Sequence, residues 1–182
     1  MKGIVFNLLE QIVTSEYGPR AWDDLIDSAG VDGVYAAVGS YEDAEFGRLV
    51  TAASVMLETP PDVLVRWFGK RALALLQLRY PQFFEPHQSS KPFILTLNEI
   101  IHPEVRKLFP GADVPEFSFS ESGPDTVVLS YVSNRALCAL AEGLVEGTAE
   151  HYREAVEIEQ TECSKRGDQR CVLVCSFSPL AT

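Results

Sequence analysis

Apolar side chains recur at helical spacing from the start of the chain, where Val5, Leu8, Leu9, Ile12 and Val13 form one stripe of residues 4–16. The next segment, AWDDLIDSAG, is acidic, carries Trp22 and ends on Gly30, a residue suited to capping a helix. Pro60 and Pro61 precede Asp62 and the run DVLVRWFGKRALALLQLRY, so proline and an acid stand where a helix start accepts them, and Pro81 stops the pattern. The spacing predicts a helix of about twenty residues. After the polar loop EPHQSSKP (85–92), FILTLNEIIHPEVRKLF resumes helical spacing. Pro103, which has no N–H to donate, is expected to bend that helix or begin a new one.

The alternation then changes to period two. VPEFSFS, a turn at SGPD, and TVVLSYVS predict an antiparallel hairpin. Helical spacing returns with Leu137, Leu140, Ala141, Leu144, Val145 and Thr148, and REAVEIEQTEC and RCVLVCSF flank KRGDQ as a last hairpin. Helices come first and an antiparallel sheet with one interposed helix comes later, which points to an α+β fold rather than alternating α/β.

The 182 residues carry a net charge of -11, with fifteen basic side chains against twenty-six acids and no basic run, so nucleic acid is not an expected partner. No stretch approaches the roughly twenty apolar residues of a membrane span, and MKGIVFNLLEQIV lacks the shape of a secretion signal; a cytoplasmic protein is expected. All four cysteines, Cys138, Cys163, Cys171 and Cys175, fall in the last quarter, which favours free thiols or a local metal site over a disulfide framework.

Val127, Leu129, Tyr131, Ser133 and Arg135 share one parity and project from one face if the strand runs that far. A phenol, a hydroxyl and a guanidinium continuing an apolar row suit one or two carboxylates of an anionic ligand. The other reading pairs Arg135 with an internal acid and packs Tyr131 in the core. His102 stands among Ile94, Leu97, Ile101, Val105 and Leu108, whereas His87 and His151 have polar surroundings, so His102 is the candidate metal ligand, with a solvated or hydrogen-bonded histidine as the alternative. No P-loop, nucleophile elbow or zinc-protease motif is present, so no enzymatic activity is expected.

The opening MKGIVFNLLE, the pair His102-Pro103, Pro115 downstream and the motif Tyr-x-Ser-x-Arg as YVSNR occur together and in order. In these features the chain resembles the bacterial stand-alone H-NOX family, the haem nitric oxide/oxygen binding domains related to the haem domain of soluble guanylate cyclase. The resemblance covers essentially the whole chain as one domain, 1–182. It implies a b-type haem between a distal helical lobe (1–60) and a proximal lobe (61–182) with a four-stranded antiparallel sheet. It assigns His102 to the iron, Tyr131, Ser133 and Arg135 to the propionates, and Pro115 to a contact that bends the porphyrin.

The resemblance also places Val5, Leu9, Ala74, Leu140 and Leu144 around the gas, with Leu140 where oxygen-binding relatives carry a tyrosine. Bound dioxygen gains from a hydrogen-bond donor and nitric oxide needs none, so an apolar pocket implies a sensor of NO, also binding CO, with no stable O2 complex. Ordinary core packing of the same residues is compatible with that reading. The family's mechanism, weakening of the bond to His102 on NO binding, implies a separate histidine kinase or cyclic-di-GMP enzyme as partner. Some relatives hold zinc with three cysteines and a histidine. Here Cys138, Cys163 and Cys171 match the cysteines, but Gln160 stands at the histidine position, leaving Cys175 or water to complete the shell. The rival functions are a dioxygen or redox haem sensor and a thiol or zinc redox switch. A peroxidase would need a distal acid-base histidine, which the pocket helices lack.

Overall fold

The computed structural model describes residues 1–133 and 135–180. Helix α1 (Gly3–Tyr17) buries Phe6, Leu8, Leu9, Ile12 and Val13, the stripe expected from spacing with Phe6 buried at its centre in place of Val5. Helix α2 (Pro19–Ala29) turns its apolar side inward through Trp22 and Leu25 and stops at Gly30, whose φ of +63° is open to glycine without strain. Helix α3 (Asp43–Met56), not marked by the sequence pattern, starts on acids that suit a helix N-terminus and buries Phe46, Leu49 and Ala52. Helix α4 (Pro61–Arg79) is the long helix foreseen after the paired prolines. These four helices close around one apolar cluster.

Helix α5 (Ser90–Leu95) leads into a π-helical turn (Leu97–Ile101) and helix α6 (His102–Leu108). The break at Pro103 is therefore of the second expected kind. Pro103 sits in the first turn of α6, where a missing N–H costs least, and the turn before it widens so that the Ile101 N–H reaches the Thr96 carbonyl at 3.2 Å.

Strands β1 (Glu116–Glu121), β2 (Thr126–Val132), β3 (Glu154–Glu162) and β4 (Cys171–Pro179) form one antiparallel sheet in the order β1-β2-β4-β3. Phe117 pairs with Tyr131, Leu129 with Leu173, and Ile158 with Cys175, so these residues share the inner face. Helix α7 (Cys138–His151) covers that face with Ala141, Val145 and Ala149, forming the second apolar cluster. The fold is α+β, as the order of elements predicted.

Helices α4 and α7 join the two clusters. Val65, Phe68 and Ala72 belong to the first and Leu73 to the second, so α4, which follows the lobe boundary expected at residue 60, serves both. The helices cross closely: a Cβ on Gly143 would lie 1.9 Å from the Arg66 carbonyl oxygen. Beside the crossing Arg66 pairs with Glu142 at 2.8 Å and Glu146 at 2.7 Å. Among the described residues no helix is long and apolar enough to cross a membrane.

Candidate functional site

His102 is half-buried at the start of α6, just after the π-helical turn, a feature often found at functional positions. Its ring stacks on Phe117 with centroids 5.5 Å apart, and Phe117 lies 5.6 Å from Tyr131, so three rings connect α6 to β1 and β2. Burial, with the Arg106 charge adding to it, depresses the imidazole to about 4, so the ring is neutral at physiological pH. Neither ring nitrogen has a hydrogen-bond or ion-pair partner among the described residues. A neutral, half-buried imidazole with an uncommitted lone pair is the form in which histidine binds iron.

Tyr131 is buried on the inner face of β2, and burial raises its phenol above the ordinary value despite hydrogen bonding to Ser133 and the Leu137 backbone. The strand stops at Val132. Ser133 and Arg135 lie beyond it, and Ala136 takes a φ of +50°, so the shared parity of the sequence does not carry past Val132. The Ser133 Oγ accepts the Arg135 backbone N–H at 3.2 Å. Asn134 lies outside the described residues.

Arg135 reaches across the fold. Its Nε donates to Asp43 Oδ2 at 2.7 Å, its Nη1 to the Asp113 carbonyl at 2.6 Å, and its Nη2 lies 3.1 Å from Asp113 Oδ2. The acid pairing foreseen as an alternative is thus present, but its partners Asp43 and Asp113 are exposed rather than internal. Two of the guanidinium's five N–H groups donate hydrogen bonds, and the Nη2 contact with Asp113 is an ion pair. Pro115 is partly buried immediately before β1, which brings it beside the end of β2 and the start of the Ser133 segment.

Of the five residues expected around the gas, Leu9 is buried, and Val5 and Leu140 pack against the same cluster. Leu144 packs one turn further along α7 against the second cluster. Ala74 does not join them: it is exposed on α4, whereas Ala72 is buried with Leu9. Residues two apart on a helix point about 200° apart, so a register displaced by two residues chose the wrong face. Leu76 also packs inward and, like Ala72, was detectable only from the burial stripe Val65, Phe68, Ala72.

The cysteines form a separate cluster. The sulfurs of Cys138, Cys163 and Cys171 lie within 4.8 Å of one another, Cys138 and Cys163 being 3.9 Å apart, and all three residues are buried. Burial pushes the Cys138 thiol up to about 11, against a favourable contact from Gln160. Burial works upward on Cys171 as well, but hydrogen bonds from the Ser164 hydroxyl and N–H and from the neighbouring thiols outweigh it and hold Cys171 below the usual thiol value. Cys175 is not part of the cluster; it faces Val127 and Ile158 inside the sheet, where burial drives it up to about 12. The expected Cys175 fourth ligand is therefore ruled out by its place on β4. The Gln160 side chain does lie against Cys138, but an amide is a poor ligand and the zinc set remains incomplete.

The family model described as haem-NO-binding matches residues 2–160. Among solved structures, the chain is similar to an H-NOX protein from S. oneidensis in the Fe(II)NO ligation state, with 28% identity, a TM-score of 0.92 and coverage of 98% of this chain and 99% of that one. It is similar to the IWP-051-bound H-NOX from Shewanella woodyi in the Fe(II)CO ligation state at 30% identity and a TM-score of 0.84, over 100% and 97% of the two chains. A third is a mutant of the H-NOX protein from K. algicida, Fe(II) and unliganded, at 25% identity, a TM-score of 0.88 and coverage of 99% and 98%. The match over residues 2–160, on a fold shared with these solved H-NOX proteins, places this chain in the haem-NO-binding (H-NOX) family.

Proposed function

We propose that the chain is a haem-based sensor of nitric oxide that also binds CO and forms no stable O2 complex. The observation that carries this reading is the neutral, unpartnered imidazole of His102, joined through Phe117 to the buried phenol of Tyr131. The donor set fits a b-type haem: one nitrogen ligand for the iron, and Tyr131, Ser133 and the Arg135 guanidinium for the carboxylates. The haem supplies a ferrous centre able to bind a diatomic gas. Pro115 is assigned to the porphyrin contact from its position ahead of β1.

Val5, Leu9, Ala72, Leu140 and Leu144 form the distal wall in this reading. None offers a hydrogen-bond donor, which leaves bound O2 without stabilisation of its negative charge and costs NO little. Solved relatives in Fe(II)NO and Fe(II)CO states support the ligand class.

His102 transmits the event. His102 would hold the iron, and a weakened hold would free α6, whose preceding widened turn already departs from regular helix geometry. The displaced surface signals to a separate histidine kinase or cyclic-di-GMP enzyme. Free buried thiols agree with the reducing cytoplasm as the place of action.

The test is the absorption spectrum of the reduced, haem-loaded protein under argon, then with NO, CO and air in turn. NO and CO are expected to shift the Soret band while air produces no oxy spectrum. A stable oxy complex overturns the gas assignment, and failure to bind haem overturns the reading as a whole.

A further inference from the structure

The cysteine cluster stands apart from His102 and has its own chemistry. Cys138 is the first residue of α7, Cys163 follows β3, and Cys171 opens β4, so three elements each deliver one sulfur to a buried point. An ion bonded at about 2.3 Å to three coplanar sulfurs requires them about 4 Å apart. The Cys138–Cys163 separation of 3.9 Å already meets that spacing, and the third sulfur lies within 4.8 Å of both.

Hydrogen-bond donors stand around the sulfurs. Ser164 directs its N–H and its hydroxyl at the Cys171 sulfur, each at 3.3 Å. Cys138 stands at the positive end of α7, a helix of fourteen residues. The Gln160 side chain lies against Cys138, and its buried amide nitrogen has no hydrogen-bond partner of ordinary geometry. An orphaned donor beside Cys138 gains a partner when that sulfur becomes a metal-bound thiolate.

The same amide decides between metals. Zinc in a closed site takes four ligands at tetrahedral corners, and among the described residues no histidine or carboxylate joins the three sulfurs. An amide N–H2 donates and does not coordinate. Monovalent copper is soft, has a filled d shell and is satisfied by three thiolates. We propose that Cys138, Cys163 and Cys171 form a three-coordinate thiolate site for Cu(I), with Gln160 as a donor to sulfur outside the coordination shell. Each Cu–S bond formed on a thiol releases one S–H proton to solvent, and the copper keeps its oxidation state throughout.

The experiment titrates the reduced full chain anaerobically with Cu(I), and separately with Zn(II), each against a chromophoric chelator, and counts the sulfur neighbours of bound copper by X-ray absorption. One copper per chain with three sulfur neighbours, retained in a tenfold excess of zinc, is expected. Cys163→Ser should weaken copper binding at least a hundredfold, and Gln160→His, by adding a fourth ligand, should turn the preference to zinc. Circular dichroism of each variant confirms folding, and Gln160→His keeps the test decisive if Cys163→Ser does not fold. Preferential retention of zinc by the unaltered chain, retention of neither metal, or copper binding that survives Cys163→Ser overturns the proposal.

Discussion

Arg135 and Asp113 are joined twice, through the backbone carbonyl at 2.6 Å and through the carboxylate at 3.1 Å, while the same guanidinium holds Asp43 at 2.7 Å. Asp113 is two residues before Pro115 and Asp43 begins α3, so one side chain ties the four-helix cluster to the segment that enters the sheet. The carboxylate of Asp113 is 74% exposed, which makes its share of the link weak.

Asp113→Ala is therefore expected to cost less than about 1 kcal/mol of stability in urea unfolding, because the carbonyl acceptor remains. Arg135→Ala removes all three contacts and should cost about 1–3 kcal/mol. In the haem-loaded protein Arg135→Ala should also speed transfer of haem to an acceptor protein, whereas Asp113→Ala should leave that rate within a factor of a few. Equal haem loss from the two variants would remove Arg135 from the carboxylate grip.

The haem-free protein should lose stability in acid through His102. Its folded value of about 4 lies below the ordinary 6.5, so between these values the unfolded chain binds a proton that the folded chain refuses. Stability contributed by the neutral ring is full above about pH 6.5, declines as the pH falls toward 4 and is lost below it; at about 1.4 kcal/mol per unit the effect is at most about 3.5 kcal/mol, reduced by solvent screening of the half-buried ring. His102→Phe should flatten this part of the stability profile measured by denaturant at successive pH values. An unchanged slope would mean that the ring is solvated.

Leu140→Tyr supplies the distal wall with a phenolic donor in the place where the chain has none. One hydrogen bond to bound O2, at roughly 1.4 kcal/mol, lengthens the lifetime of the oxy complex about tenfold. Stopped-flow mixing of the reduced protein with oxygenated buffer should show an oxy intermediate in the variant, with NO binding retained. No oxy species at all would place Leu140 away from the gas.

Local pattern carried much of this architecture. The stripes of α1 and α4 and both hairpins follow from periodicity, and His102 was separated from His87 and His151 by its apolar neighbours alone. Helix α3 escaped because its apolar stripe is thin, with Thr51, Ala53 and Ser54 interleaved. Ser133 and Arg135 lie beyond a strand that ends at Val132, not on it, since parity gives no warning of the positive φ at Ala136. The exchange of Ala74 for Ala72 is a register slip that only burial resolves. The pairing of Arg135 with Asp43 spans 92 positions, a distance over which no periodic signal acts.

The close crossing of α4 and α7 makes the sharpest prediction for stability. A methyl group at Gly143 would stand 1.9 Å from the Arg66 carbonyl oxygen and 2.9 Å from the Lys70 nitrogen, both rigid backbone atoms, so Gly143→Ala must push the helices apart. That movement loosens the packing of both clusters and pulls Arg66 from Glu142 and Glu146; a loss of about 3 kcal/mol or more is expected. Gly47, within α3, is the control, because a Cβ there meets nothing within 4 Å and the backbone is helical. Gly47→Ala should stabilise by about 0.5–1 kcal/mol through helix propensity and a less flexible unfolded chain. Urea unfolding of the two variants beside the unaltered chain should thus move the midpoints in opposite directions, and a Gly143→Ala protein of normal stability would mean that the helices cross further apart than the structure shows.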